Sequence, residues 1–149
     1  MTLKLIPYLL FLLLPCSVIA NDIVGKCKTI DDQTGYSRAD VLITKNNAGI
    51  YTAKIIAIRP LPYKPLVETC NKCKGDLKGK PYVGLEIMSG FQRHPKDPNQ
   101  FQGGHVLDPL FGNVYKGKAK LSENGKRLSL RGYVGVSALG RSTTWIRTD

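Results

Sequence analysis

Cys70-Asn71-Lys72-Cys73 is the stretch of this chain best equipped for chemistry. Two thiols separated by two residues can close a disulfide, cycle between dithiol and disulfide, or supply half of a tetrahedral zinc site. Each use needs different surroundings. A redox pair needs a lowered thiol pKa, typically at a helix N-terminus; Lys72 and Lys74 would favour a thiolate, but Lys74-Gly75-Asp76 starts no helix. A zinc site would have to draw on Cys27 and on His94 or His105. A structural staple needs only an oxidising compartment. The residues therefore predict a Cys70–Cys73 disulfide, worth about 2 kcal/mol on a chain-entropy basis. They predict no metal and no other cofactor.

The pair sits in a segment from Pro60 to Pro81 that is longer than an ordinary connection and stiffened by four prolines. One reading makes it a lid. Tyr63 and Leu66 then supply apolar contact, and Lys72, Lys74, Lys78 and Lys80 offer charge to an anionic head group. The other makes it a stapled, solvated loop that only caps the core. Arg131 and Arg141 lie in glycine-flanked strands, where an inward guanidinium could hold a carboxylate; pairing with Asp40, Asp108 or a backbone carbonyl is the alternative. Asp31-Asp32 before Thr34-Gly35 reads as turn chemistry. His94 and His105 are far apart in sequence, and Ser142, Thr143 and Thr144 lack a nucleophile elbow. No catalytic set emerges, so the expectation is a protein that is not an enzyme.

What positions these residues is a series of short strands. Runs of alternating or β-branched residues recur at Val24–Ile30, Tyr36–Thr44, Ile50–Ile58, Val83–Phe91, Phe101–Leu107, Val114–Leu121, Arg127–Val134 and Arg141–Arg147. Turn signals such as Asn46-Asn47-Ala48-Gly49 and Ser122-Glu123-Asn124-Gly125 separate them. In the sixth run Lys116, Lys118 and Lys120 alternate with Tyr115, Gly117, Ala119 and Leu121. Eight antiparallel strands joined mainly by short turns predict an all-β, up-and-down barrel, because closure removes the exposed edges. A β-sandwich is the alternative. The expected inward set is Ala39, Val41, Ile43, Ile55, Leu85, Ile87, Tyr115, Leu128 and Leu130.

The ends and the charge bear on location and partners. Lys4, the apolar run Leu9–Leu14 and Val18-Ile19-Ala20 form a signal peptide over residues 1–20, with cleavage before Asn21. A rival reading lipidates Cys16, because Leu13-Leu14-Pro15-Cys16 resembles a lipobox. The apolar run is too short to span a bilayer, so no transmembrane segment is expected in the mature chain. Residues 21–149 would then form one domain with a net charge of +10. A periplasmic or secreted location makes nucleic acid a poor partner and an anionic envelope surface a candidate one.

Thr29-Ile30-Asp31-Asp32-Gln33-Thr34-Gly35, the Cys70/Cys73 loop, Lys80-Pro81, Gly84-Leu85, Gly103-Gly104 and Leu107-Asp108-Pro109 form an ordered set of motifs. Gly112, Tyr115-Lys116, Arg131-Gly132-Tyr133-Val134-Gly135 and Gly140-Arg141-Ser142-Thr143-Thr144-Trp145 continue it. In this set the chain resembles the bacterial domain of unknown function 2147 family across the whole mature sequence. The resemblance implies an exported, lipocalin-like (calycin-like) barrel without established catalytic residues. It also implies a Gly-x-Trp in the first strand, whose Trp plugs the barrel floor beneath a basic side chain of the last strand. Here Gly25-Lys26-Cys27 puts a Cys in that place. Cys27, Trp145 and Arg147 are therefore the expected floor residues, with Arg147 or Arg141 as the basic partner.

The leading expectation is a barrel that binds one small hydrophobic, amphipathic or acidic, lipid-like ligand. The alternative is an envelope interaction protein with a fully packed barrel and a basic exterior. A thiol–disulfide enzyme using Cys70 and Cys73 is the third.

Overall fold

In the computed structural model, which describes residues 21–136 and 140–149, eight antiparallel strands close into a barrel with each strand beside its sequence neighbours. The signal segment 1–20 and the lipobox reading at Cys16 lie outside the described residues. The strands are β1 (Gly25–Ile30), β2 (Ser37–Lys45), β3 (Tyr51–Ile58), β4 (Glu86–Arg93), β5 (Gln100–Asp108), β6 (Asn113–Leu121), β7 (Arg127–Tyr133) and β8 (Arg141–Arg147). The sheet closes where β1 pairs with β8, Cys27 opposite Arg147 and Thr29 opposite Trp145. The barrel and the Cys70–Cys73 disulfide are both present, as the sequence predicts. The β-sandwich alternative is excluded by closure.

Alternation decides which face each side chain takes. On β2, Ala39, Val41 and Ile43 are buried while their neighbours are not. On β7, Leu128 and Leu130 are buried, and on β6 the lysines face out and Ala119 and Leu121 face in. The fourth strand starts later than its sequence suggests. Val83-Gly84-Leu85 form a turn, in which Gly84 N donates to Ile55 O at 2.8 Å and Ile55 N to Leu85 O at 3.0 Å, before the regular strand begins at Glu86.

The two ends of the barrel differ. At the closed end Tyr51, Met88, Phe91 and Phe101 are almost fully buried, and the Tyr51 and Phe101 rings meet edge to face at 5.1 Å between centroids. Phe91 fits because two glycines face it: a Cβ on Gly104 or on Gly117 would collide with its ring. Ile23, which precedes the first strand, is 1 % exposed and fills the floor. Toward the other end the inward residues Ala39, Ile55, Ile87, Leu130 and Gly132 line a cavity.

Candidate functional site

The open half of the barrel is a cavity of about 860 Å³. That volume falls in the range of roughly 300–1,000 Å³ typical of small-molecule sites. Its inner wall is apolar: Ala39 from β2, Ile55 and Ile58 from β3, Ile87 from β4, Leu107 from β5 and Leu130 from β7. Trp145 of β8 lines it too and is 2 % exposed. Strand pleating turns these side chains toward the interior. A register shift opposite Asp40 and Val41 lets Ile55 and Ile58, three residues apart on β3, both line the cavity. The fully packed interior of the alternative reading is thus confined to the closed half.

The mouth carries charged groups among apolar ones, and most of its charges are matched. Arg38 Nε donates to Asp31 Oδ2 at 2.6 Å, which ties β2 back to the end of β1. Arg141 forms a two-pronged pair with Asp32, Nη2 to Oδ1 at 2.6 Å and Nε to Oδ2 at 3.1 Å, joining β8 to the β1–β2 turn. Such forked geometry is the strongest form of an arginine–carboxylate contact. Arg59, just after β3, pairs with Asp40. Burial alone would raise the Asp31 pKa; hydrogen bonds from Thr34 Oγ1, Thr34 N and Arg38 outweigh it and hold the carboxyl down at about 2. Among the described residues Lys64 and Lys72 border the cavity without a carboxylate partner. Lys72 instead lies over the Phe111 ring, 5.4 Å from its centroid.

The stapled loop is a wall of the mouth. Cys70 and Cys73 are 0 % and 2 % exposed, and their loop folds on itself through Cys70 N to Lys80 O at 2.8 Å and Gly79 N to Cys70 O at 2.9 Å. It then docks on the β5–β6 turn: Tyr82 Oη donates to Pro109 O at 3.2 Å and Lys74 Nζ to Asn113 Oδ1 at 3.4 Å. Gly112 permits that approach, since a Cβ there would collide with the Lys72 carbonyl and its φ of 72° suits glycine. The disulfide therefore holds the loop sideways against β5 and β6, and the cavity stays open beside it. Sulfurs so enclosed are out of reach of a protein disulfide. The helical element after Cys73, where the sequence suggests none, is a single 3-10 turn, Gly75–Leu77, too short to lower a thiol pKa.

The sequence-derived site residues separate accordingly. Leu66, Lys72, Tyr115 and Arg141 border the cavity. Tyr63 does not: its left-handed backbone, φ 62°, turns it fully into solvent. Lys74 borders a smaller recess beside Leu77 and Asn113, and Lys78 and Lys80 are exposed and do not line the cavity. Arg131 faces outward on β7 and donates to Ser142 Oγ at 3.0 Å, because the inward alternation there runs Leu128, Leu130, Gly132. The partner of Arg141 is Asp32, not Asp40 or Asp108.

The floor also differs from expectation. Cys27 is buried there at 3 % exposure, and burial pushes its thiol up to about 11 despite the nearby Arg147 charge. Trp145 belongs one inward position higher, in the cavity wall. Arg147 caps the floor by donating from Nη2 to Asp22 O at 2.7 Å and to Val24 O at 2.8 Å. Ile23, between those two acceptors in sequence, is buried in the same core as Cys27. Ile23 and Asp32 were missed from sequence; the apolar pair Ile23-Val24 before the first strand is the signal that could have found the plug.

A closed antiparallel barrel, packed at one end and hollow at the other, defines a lipocalin-like protein. The match to a solved structure agrees: protein HP1028 from the human pathogen Helicobacter pylori, described as belonging to the lipocalin family, superposes with a TM-score of 0.69. The two share 18 % identity, over 86 % of this chain and 84 % of that one, so the likeness is one of fold. No curated protein matches the sequence. The chain itself belongs to the family of uncharacterized proteins conserved in bacteria, DUF2147, whose profile matches residues 25–147.

Proposed function

We propose that this protein binds one small amphipathic ligand, with an apolar tail in the barrel and an anionic or polar head at the mouth. The observation that carries the reading is the half-hollow barrel: an apolar-walled cavity of about 860 Å³ open at one end, with Lys64 and Lys72 beside the opening. Burial of the tail supplies affinity at roughly 25 cal/mol per Å² of apolar area, before the costs of ordering. The lysines orient the head. The role proposed is carriage or sequestration, with no bond made or broken. The reading also places the protein outside the cytosol, in the periplasm or beyond; the signal-like residues 1–20 and the Cys70–Cys73 disulfide support that location.

The test uses the only tryptophan as its reporter. Trp145 lines the cavity, so titration with dodecanoic acid should shift its emission and saturate at one ligand per chain. Ala39→Phe, which puts a ring into the inner cavity, should weaken binding by on the order of tenfold while the far-UV spectrum stays that of a barrel. An unchanged Trp145 signal with dodecanoic acid and with lysophospholipid, and no lipid in native mass spectra of gently purified protein, would overturn the reading.

A further inference from the structure

The outer surfaces of the two barrel ends are as unlike as their interiors. The closed-end turns are polar: Asn46-Asn47, His94 to Asn99, and Ser122 to Lys126. Apart from Val24, Ile56 and Ile146, every strongly exposed large apolar side chain among the described residues lies at the open end. Tyr63, Phe111, Val134 and Val136 project there, at 106 %, 53 %, 67 % and 61 % exposure. They come from three separate loops that surround the mouth, between β3 and β4, β5 and β6, and β7 and β8. Tyr63 is held outward by a left-handed backbone that costs a non-glycine residue on the order of 1 kcal/mol.

Charge accompanies this collar. The β3–β4 connection carries Lys64, Lys72, Lys74, Lys78 and Lys80 against Glu68 and Asp76. Lys72 lies on the Phe111 ring, so a cation and an aromatic share one projecting tip. Apolar tips interleaved with ammonium groups match the boundary of an anionic bilayer, where rings enter the acyl region and lysines meet phosphates.

We propose that the open end docks mouth-down on an anionic phospholipid bilayer, the collar of Tyr63, Phe111, Val134 and Val136 entering the interface and the loop lysines binding the headgroups. This goes beyond the ligand reading, since a barrel could dock without carrying lipid, or carry lipid without docking. If both hold, the cavity faces the membrane from which it would be filled.

Flotation of the mature chain with vesicles provides the test. Vesicles of phosphatidylcholine with phosphatidylglycerol should carry the protein, more weakly at high salt, and phosphatidylcholine alone should carry far less. Lys74→Gln with Lys78→Gln should cost about fivefold in partitioning per lysine, whereas the closed-end pair Lys96→Gln with Lys126→Gln should cost less than twofold. Tyr63→Ser with Val136→Ser should cost on the order of tenfold. None of these residues lines the cavity, so the dodecanoic acid titration should be unchanged in all three variants. Equal losses from the two lysine pairs would reduce the effect to net charge and overturn the proposal. So would an absence of binding to phosphatidylglycerol vesicles. Sedimentation as a dimer that Tyr63→Ser with Val136→Ser dissolves would assign the collar to a second copy and likewise overturn it.

Discussion

Asp31→Asn should weaken the barrel at neutral pH and make little difference in acid. Asp31 accepts hydrogen bonds from Thr34 N and Thr34 Oγ1, both at 2.9 Å, and from Arg38 Nε at 2.6 Å. These hold its pKa at about 2 in the folded protein, against about 3.9 in an unfolded chain. A depressed carboxylate pKa contributes stability that is present above the unfolded value and lost as pH falls through the folded one. At roughly 1.4 kcal/mol per pKa unit the ceiling is about 2.5 kcal/mol. Because Arg38 is 31 % exposed, solvent screening brings the expected figure to about 1–1.5 kcal/mol. Urea unfolding of wild type and Asp31→Asn at pH 7, pH 3 and pH 2 should show that gap at pH 7, about half of it at pH 3, and little at pH 2. A gap that stays constant from pH 7 to pH 2 would refute the linkage and leave only the shape of the turn as its cause.

Two further outcomes follow from the closed half. Gly117→Ala should destabilise by about 1–3 kcal/mol, because the new methyl meets the Phe91 ring and Val106, and Phe91→Leu in the same chain should recover part of the loss in urea unfolding. Cys27 should resist iodoacetamide at pH 8 until the protein unfolds, since burial holds its thiol near 11. A raised thiol pKa contributes stability that is full below the unfolded value of about 8.5 and lost as pH climbs toward 11, so the melting temperature should fall across that alkaline window.

The strands were legible in the sequence because half-buried antiparallel strands write their pleat as alternation. Lys116, Lys118 and Lys120 against Ala119 and Leu121 name the two faces of β6 without help from any other strand. The ion pairs were not legible. Arg141 lies 109 residues from Asp32, and only closure of β8 onto β1 brings them together. Arg131 was misplaced because glycine flanks say nothing about which face a residue takes; its odd spacing from Leu128 and Leu130 does. Tyr63 was misread as a lid contact because a positive φ at a tyrosine leaves no trace in composition. Which half of the expected ligand-binding barrel is hollow was not legible, because packed and empty layers share one alternation. Residue size marks only the packed layer, where Tyr51, Phe91 and Phe101 gather; the cavity wall holds Trp145 and Ile55 as well as Ala39.

That division along the barrel axis also sets how the molecule can change. Substitutions at Met88, Phe91 or Phe101 disturb a dense core, in which lost or added volume costs several kcal/mol. Replacements at Ala39 or Ile58 border the cavity, and their cost falls chiefly on what it accepts, whereas a side chain at Gly132 would crowd Tyr115. One end thus holds the stability and the other is free to drift in specificity. A lineage built on this chain could acquire new ligands by re-lining the mouth while the plug of Ile23, Phe91 and Arg147 keeps the barrel folded.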